Sequence, residues 1–101
     1  MSPRTYLQHA VKALKRLERT QARNISAAAG LVADAIAGNR GIFSFGATHS
    51  FILTEEMVYR TGGLMLVNPI YPHGMNTFVR PMTLTSQLER VEGVGNRLLD
   101  G

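Results

Sequence analysis

The chain has 101 residues and a formal net charge of +4, with 45% hydrophobic and 18% charged residues. This length allows one domain, and the composition excludes an intrinsically disordered chain. No apolar stretch reaches the roughly 18 residues of a membrane span, and the N-terminus has no apolar leader. We therefore expect a cytoplasmic protein without a membrane partner. Cysteine is absent, which excludes disulfides and thiolate chemistry.

The positive charge is concentrated in one N-terminal segment. Residues 1–23 hold six basic side chains against Glu18 alone, whereas the rest of the chain holds five basic and six acidic residues. A basic surface spread over the whole molecule, with interleaved aromatic residues, is missing. A charge run of this kind is most often a solvated helix face, so a nucleic-acid partner is disfavoured.

Two long helices are predicted at the N-terminus. The first spans residues 3–22, with Ser2 as its cap and Pro3 at its first position. Apolar residues repeat along it at intervals of three and four, namely Tyr6, Ala10, Leu14 and Leu17. Asn24 or Ser26 can start the second helix, which Gly38 and Asn39 end. A single kinked helix is the alternative.

Strands and helices alternate in the remainder. Strands are predicted over 41–46 and 64–68, with a helix over 51–60 between them. The pattern Ser86-Gln87-Leu88-Glu89 is typical of a capping box and predicts a last helix. Strand–helix–strand order indicates a parallel α/β sheet, which needs cover on both faces. Two strands are few for such a sheet. We therefore expect that the chain is either part of a larger domain or completes its sheet by self-association.

The loop Gly46-Ala47-Thr48-His49-Ser50 lies between the first strand and the following helix. Ligands of open parallel sheets bind at the carboxyl ends of strands, and a helix N-terminus suits a phosphate. We expect Gly46, Ala47, Thr48 and Ser50 to bind the ligand, with His49 as a donor or proton carrier. The other interpretation is that Ser50 only caps the helix and Gly46 only permits the turn.

Three blocks of sequence resemble the SIS (sugar isomerase) domain family of phosphosugar-binding proteins, in particular uncharacterised bacterial members related to phosphoheptose isomerase. The blocks are residues 43–50, 55–63 and 67–70, and the resemblance extends through residues 85–90. The resemblance implies a three-layer, flavodoxin-like α/β fold with a sugar phosphate bound at the strand ends. It also implies that Ser50 contacts the phosphate and that the protein forms a homodimer or larger homo-oligomer.

The resemblance covers the chain as one domain, residues 1–101, that looks like the N-terminal portion of an SIS domain. The family's second phosphate loop, Ser-x-Ser-Gly-x-Thr, is absent. The resemblance implies phosphosugar binding, with aldose–ketose isomerase activity in a complete domain. The alternative function is a non-catalytic assembly module.

Proton transfer in such an isomerisation needs a carboxylate or a histidine. Glu55 and Glu56 lie nearest the loop, and on a helix at most one of them faces the site. We take Glu55 and His49 as the catalytic candidates, because Glu56 has the favourable spacing for an ion pair with Arg60. His73, in a loop after the second strand, is a further candidate, although a surface position is more common for such a residue.

We expect neither a metal nor another cofactor. Phosphoheptose isomerases carry a histidine and an acid six and ten residues after the loop serine, as parts of a metal site. The matching positions here hold Glu56 and Arg60, and an arginine cation does not bind a metal.

Overall fold

The computed structural model describes residues 1–100. The chain divides into two compact units, Met1–Asn39 and a second unit that begins at Arg40. None of the helices in the described part of the chain is long and apolar enough to cross a membrane.

The first unit is a single helix, α1 (Pro3–Ala37). The Ser2 side chain accepts a hydrogen bond from the Thr5 backbone N–H at 3.1 Å, and Pro3 occupies the first turn. At the other end the Gly38 N–H donates to the Asp34 carbonyl at 2.9 Å. The predicted start and end are therefore confirmed, because both depend on local capping chemistry.

The prediction of two separate N-terminal helices is wrong, since α1 continues through the expected boundary. Asn24 does not cap a new helix; its side-chain amide donates to Gln21 Oε1 at 2.9 Å within α1. Gly30 lies inside the helix, and no proline follows Pro3 in this segment. A glycine lowers helix stability but does not break the hydrogen-bond ladder, which explains the continuity.

The second unit contains two parallel strands, β1 (Ile42–Phe45) and β2 (Val67–Ile70). Ile42 pairs with Val67 and Phe45 with Ile70. The expected α/β class with a parallel sheet is confirmed. The second strand begins three residues later than predicted, because Leu64 folds back in a turn and donates its N–H to the Met57 carbonyl at 2.9 Å.

Helix α2 (Phe51–Met57) covers one face of this sheet. The hydroxyl groups of Ser44 in β1 and Thr54 in α2 are 2.9 Å apart, and Thr54 is 1% exposed. The helix is shorter than the predicted 51–60, since Val58 is extended and Tyr59 has a positive φ of 35°. Side chains alternate along a strand, so Phe43 and Phe45 lie on the opposite face, where both are exposed.

The last predicted helix is two short helices, α3 (Thr83–Leu88) and α4 (Val94–Leu99). Ser86 lies inside α3, so the predicted capping box does not form. Helix α3 ends at Leu88, and Gly93, with a φ of 82°, takes a left-handed conformation directly before α4. The buried apolar residues of the unit are Val67 and Met75.

Candidate functional site

The loop Gly46–Ser50 follows the carboxyl end of β1, as the sequence predicts. Residues 48–50 form one turn of 3₁₀ helix that runs into α2. Gly46 is buried, Ala47 and Thr48 are half-buried, and His49 and Ser50 are exposed. The outer part of the loop is therefore accessible to a ligand.

Gly46 is required by the turn itself. A Cβ at this position would lie 2.5 Å from the Ser50 carbonyl carbon and 2.8 Å from the Phe51 nitrogen. The backbone at the start of α2 already occupies this space. Gly46 therefore acts by permitting close packing of two backbone segments, and a ligand does not approach it on this side.

Thr48 fixes the loop with both of its donors. Its backbone N–H donates to the Met75 carbonyl at 2.9 Å, and its hydroxyl donates to the Ala47 carbonyl at 2.7 Å. Its φ of 54° is rare for a side chain branched at Cβ, so these contacts hold a costly conformation. Thr48 shapes the site, and its N–H is not free for a phosphate.

Ser50 offers a different arrangement. Its N–H donates to the Ala47 carbonyl at 3.1 Å, but its side chain makes no capping hydrogen bond to α2. Ser50 therefore occupies the N-cap position of α2 without the side-chain hydrogen bond of a capping serine. Ser50 is exposed, as is the neighbouring His49, so a ligand can reach both side chains.

The loop after β2 reaches the same edge of the sheet. The Tyr71 ring packs against Phe51 with centroids 4.8 Å apart, and His73 meets Tyr71 edge-on at 5.3 Å. We call these three residues the aromatic cluster. Together with the Thr48–Met75 hydrogen bond it joins the two loops. Tyr71 and Met75 were not predicted from the sequence, although an aromatic residue directly after a buried strand was an available signal.

The two acidic candidates, Glu55 and Glu56, have different surroundings on α2. Glu56 forms the ion pair with Arg60, which confirms the expected surface role of its carboxylate. Glu55 is exposed and lines a cavity of about 230 Å³ beside Pro69. Neither glutamate lines a second cavity of this unit, which lies beside Ala47.

A cavity of about 430 Å³ adjoins the loop on its inner side. Its walls come from the end of β1, the loop after β2, the segment after α3, and α4: Phe45, Ala47, Met75, Glu89, Val91, Gly93, Val94, Gly95, Leu98 and Leu99. The volume falls in the usual range for a small-molecule site. Glu89 is the one ionisable residue among these lining residues.

The residues at the expected metal positions do not fit a metal ion. Glu56 is neutralised by Arg60, and within residues 1–100 no three His, Asp or Glu side chains are grouped to hold one.

Comparison with known proteins defines the class. The family model of the SIS domain matches residues 5–101. The chain therefore belongs to the SIS domain family, which confirms the resemblance in the sequence. SIS domains in general have the capacity to bind phosphosugars.

The chain is similar to several bacterial UPF0309 proteins. It is 39% identical over 95 residues to the one from Oceanobacillus iheyensis, covering 94% of this chain and 39% of that protein. It is 41% identical over 96 residues to the one from Streptomyces avermitilis, covering 94% and 38%. A UPF0309 protein of Shouchella clausii is 45% identical over 73 residues, 72% of this chain and 30% of that protein. The chain spans about two fifths of the length of the first two relatives.

Proposed function

We propose that the chain is a portion of an SIS domain that binds a sugar phosphate through the loop Gly46–Ser50. The observation that carries this proposal is the exposed Ser50 hydroxyl, which does not cap α2 and lies just beyond the carboxyl end of β1. Ligands of parallel sheets bind at that edge, and membership of the SIS family supports a phosphosugar as the ligand.

The residues of the loop take different roles in this proposal. The Ser50 hydroxyl donates to a phosphate oxygen, and the exposed His49 adds a donor beside it. Gly46 and Thr48 hold the loop in shape through the contacts described above, and Ala47 lines the adjoining cavity. Isomerase activity in a complete domain, with Glu55 and His49 as proton carriers, stays a prediction, as does a cytoplasmic location.

Replacing Ser50 with alanine should weaken the binding of sugar phosphates by about tenfold or more, because a hydrogen bond to a charged group contributes about 1.5–3 kcal/mol. Isothermal titration calorimetry with glucose 6-phosphate and fructose 6-phosphate measures this change. Ser86→Ala is the matched control, since Ser86 is also an exposed serine but lies on α3. The proposal fails if the wild-type chain binds neither sugar phosphate, or if Ser50→Ala binds as the wild type does.

A second candidate function is a non-catalytic assembly module. Two exposed apolar surfaces favour this function, one on α1 in the first unit and one on the sheet of the second unit. Along α1 no residue is buried, and large apolar side chains are exposed: Tyr6, Leu7, Val11, Leu14 and Leu17. On the sheet, Phe43 and Phe45 are 67% and 52% exposed. Burying such surfaces against a second copy or the rest of a domain is favourable.

Sedimentation velocity at increasing concentration tests assembly. We expect self-association, and Leu14→Glu should weaken it by at least about tenfold, because a buried unpaired charge is costly. Gln8→Glu, which adds the same charge beside Arg4, Lys12 and Lys15, is the control. A folded monomer at all concentrations would contradict the assembly function.

A further inference from the structure

The cavity of about 430 Å³ beside the loop adds a second part to the proposed site. We infer that the polyhydroxylated end of the sugar phosphate occupies this cavity and that the Glu89 carboxylate accepts hydrogen bonds from its hydroxyl groups. This inference rests on the proposed function, and it concerns the recognition of the sugar rather than of the phosphate.

The loop connects the two parts of the site. Ala47 lines the cavity, and its carbonyl accepts the hydrogen bond from the Ser50 N–H at 3.1 Å. Ala47 and Ser50 are the two ends of the single 3₁₀ turn that residues 48–50 form. A ligand whose phosphate contacts Ser50 therefore extends across Ala47 into the cavity.

The chemistry of the cavity suits a sugar. Binding sites for small molecules have mainly apolar walls and a few placed polar groups. Phe45 and the apolar residues of α4 can pack against the C–H surfaces of a sugar. An ionised carboxylate is an acceptor only, so Glu89 complements the hydroxyl donors that a sugar presents. Within residues 1–100 the ion pair that forms is Glu56–Arg60, and Glu89 takes no part in it.

Glu89 differs from the other candidates in its position. Glu55 lines the separate cavity beside Pro69, and Glu56 is paired with Arg60. Glu89 is the carboxylate that shares a cavity with Ala47 of the phosphate-binding loop. It is 42 residues away from Ala47 in the sequence, so only the fold brings the two together.

Calorimetry with two probes separates the two parts of the site. Glu89→Gln should weaken binding of glucose 6-phosphate by about tenfold and leave binding of inorganic phosphate within about twofold of the wild type. Glu92→Gln is the matched control, because it removes the same charge three residues later and Glu92 does not line the cavity. Ser50→Ala should weaken both probes.

A second variant fills the cavity from another wall. Gly95 lines it, and a Cβ at this position meets nothing within 4 Å, so Gly95→Leu is compatible with the fold. The leucine should weaken the binding of glucose 6-phosphate about tenfold without weakening the binding of inorganic phosphate. Far-UV circular dichroism verifies that both variants remain folded.

The outcomes distinguish the inference from the proposed function. If the wild type binds neither probe, the proposed function fails and this inference fails with it. If the wild type binds glucose 6-phosphate and neither Glu89→Gln nor Gly95→Leu weakens that binding, only the role of the cavity is overturned. If Gly95→Leu changes self-association in sedimentation but not sugar-phosphate affinity, the cavity belongs to an interface between copies and the inference is wrong.

Discussion

Gly46→Ala is expected to destabilise the second unit by about 1–3 kcal/mol and to weaken sugar-phosphate binding together with it. The added Cβ would lie 2.5 Å from both the carbonyl carbon and the carbonyl oxygen of Ser50. These are backbone atoms, so no flexible side chain can move aside. The start of α2 must shift, and Ser50 shifts with it.

Urea denaturation monitored by circular dichroism measures the loss. Gly95→Ala is the control, because the same methyl group there meets nothing within 4 Å and lies inside α4. In a helix this change is expected to stabilise by roughly 0.5–1 kcal/mol. Equal stability of the Gly46→Ala variant and the wild type would mean that the close approach of the two backbone segments is absent in solution.

Met75→Ala should destabilise the second unit by about 2–5 kcal/mol. Met75 is 4% exposed, and it belongs to the few buried apolar residues of this unit. Truncation removes packing contacts and enlarges the cavity that Met75 lines. In a unit of this size each kcal/mol corresponds to about 4–8 °C in Tm, so the midpoint should fall by roughly 10 °C or more.

Differential scanning calorimetry measures this change, and Met65→Ala provides the comparison. Met65 is 66% exposed, so the same truncation there removes little buried surface and should alter the Tm by no more than a few degrees. Similar midpoints for the two variants would show that Met75 is not part of the core.

The features that the sequence predicted correctly depend on local chemistry. Ser2 and Pro3 mark the start of α1, and Gly38 marks its end, because capping involves residues within one turn. Pairing of β1 with β2 follows from the strand–helix–strand order. The ion pair between Glu56 and Arg60 depends only on their spacing on α2 and the turn after it.

The predictions that were wrong concern segments whose backbone conformation depends on more than the local sequence pattern. The sequence 64–68 is typical of a buried strand, but Leu64 bonds back to Met57 and delays β2 until Val67. The apolar period of the last segment continues beyond Leu88, where α3 ends, and through Gly93, whose left-handed conformation directly precedes α4. Asn24 resembles a cap in sequence, yet it lies within a helix that nothing interrupts.

In the candidate site, too, local features were predicted from the sequence and features that depend on distant residues were not. A glycine and hydroxyl residues directly after a strand were sufficient to find the loop Gly46–Ser50. Tyr71, Met75 and Glu89 were not found, because each is more than twenty residues from the loop in the sequence. Their proximity arises from the meeting of the two loops and from the turn at Gly93, which a single sequence does not reveal.

The hydrogen bond from the Thr48 N–H to the Met75 carbonyl also limits how the loops after β1 and β2 can change in length. An insertion between Tyr71 and Met75 would move the acceptor by a whole residue and release Thr48 from its left-handed conformation. An insertion after Asn76 would leave that acceptor in place. The stretch 71–75 therefore does not admit extra residues, and insertions into this loop belong after Asn76.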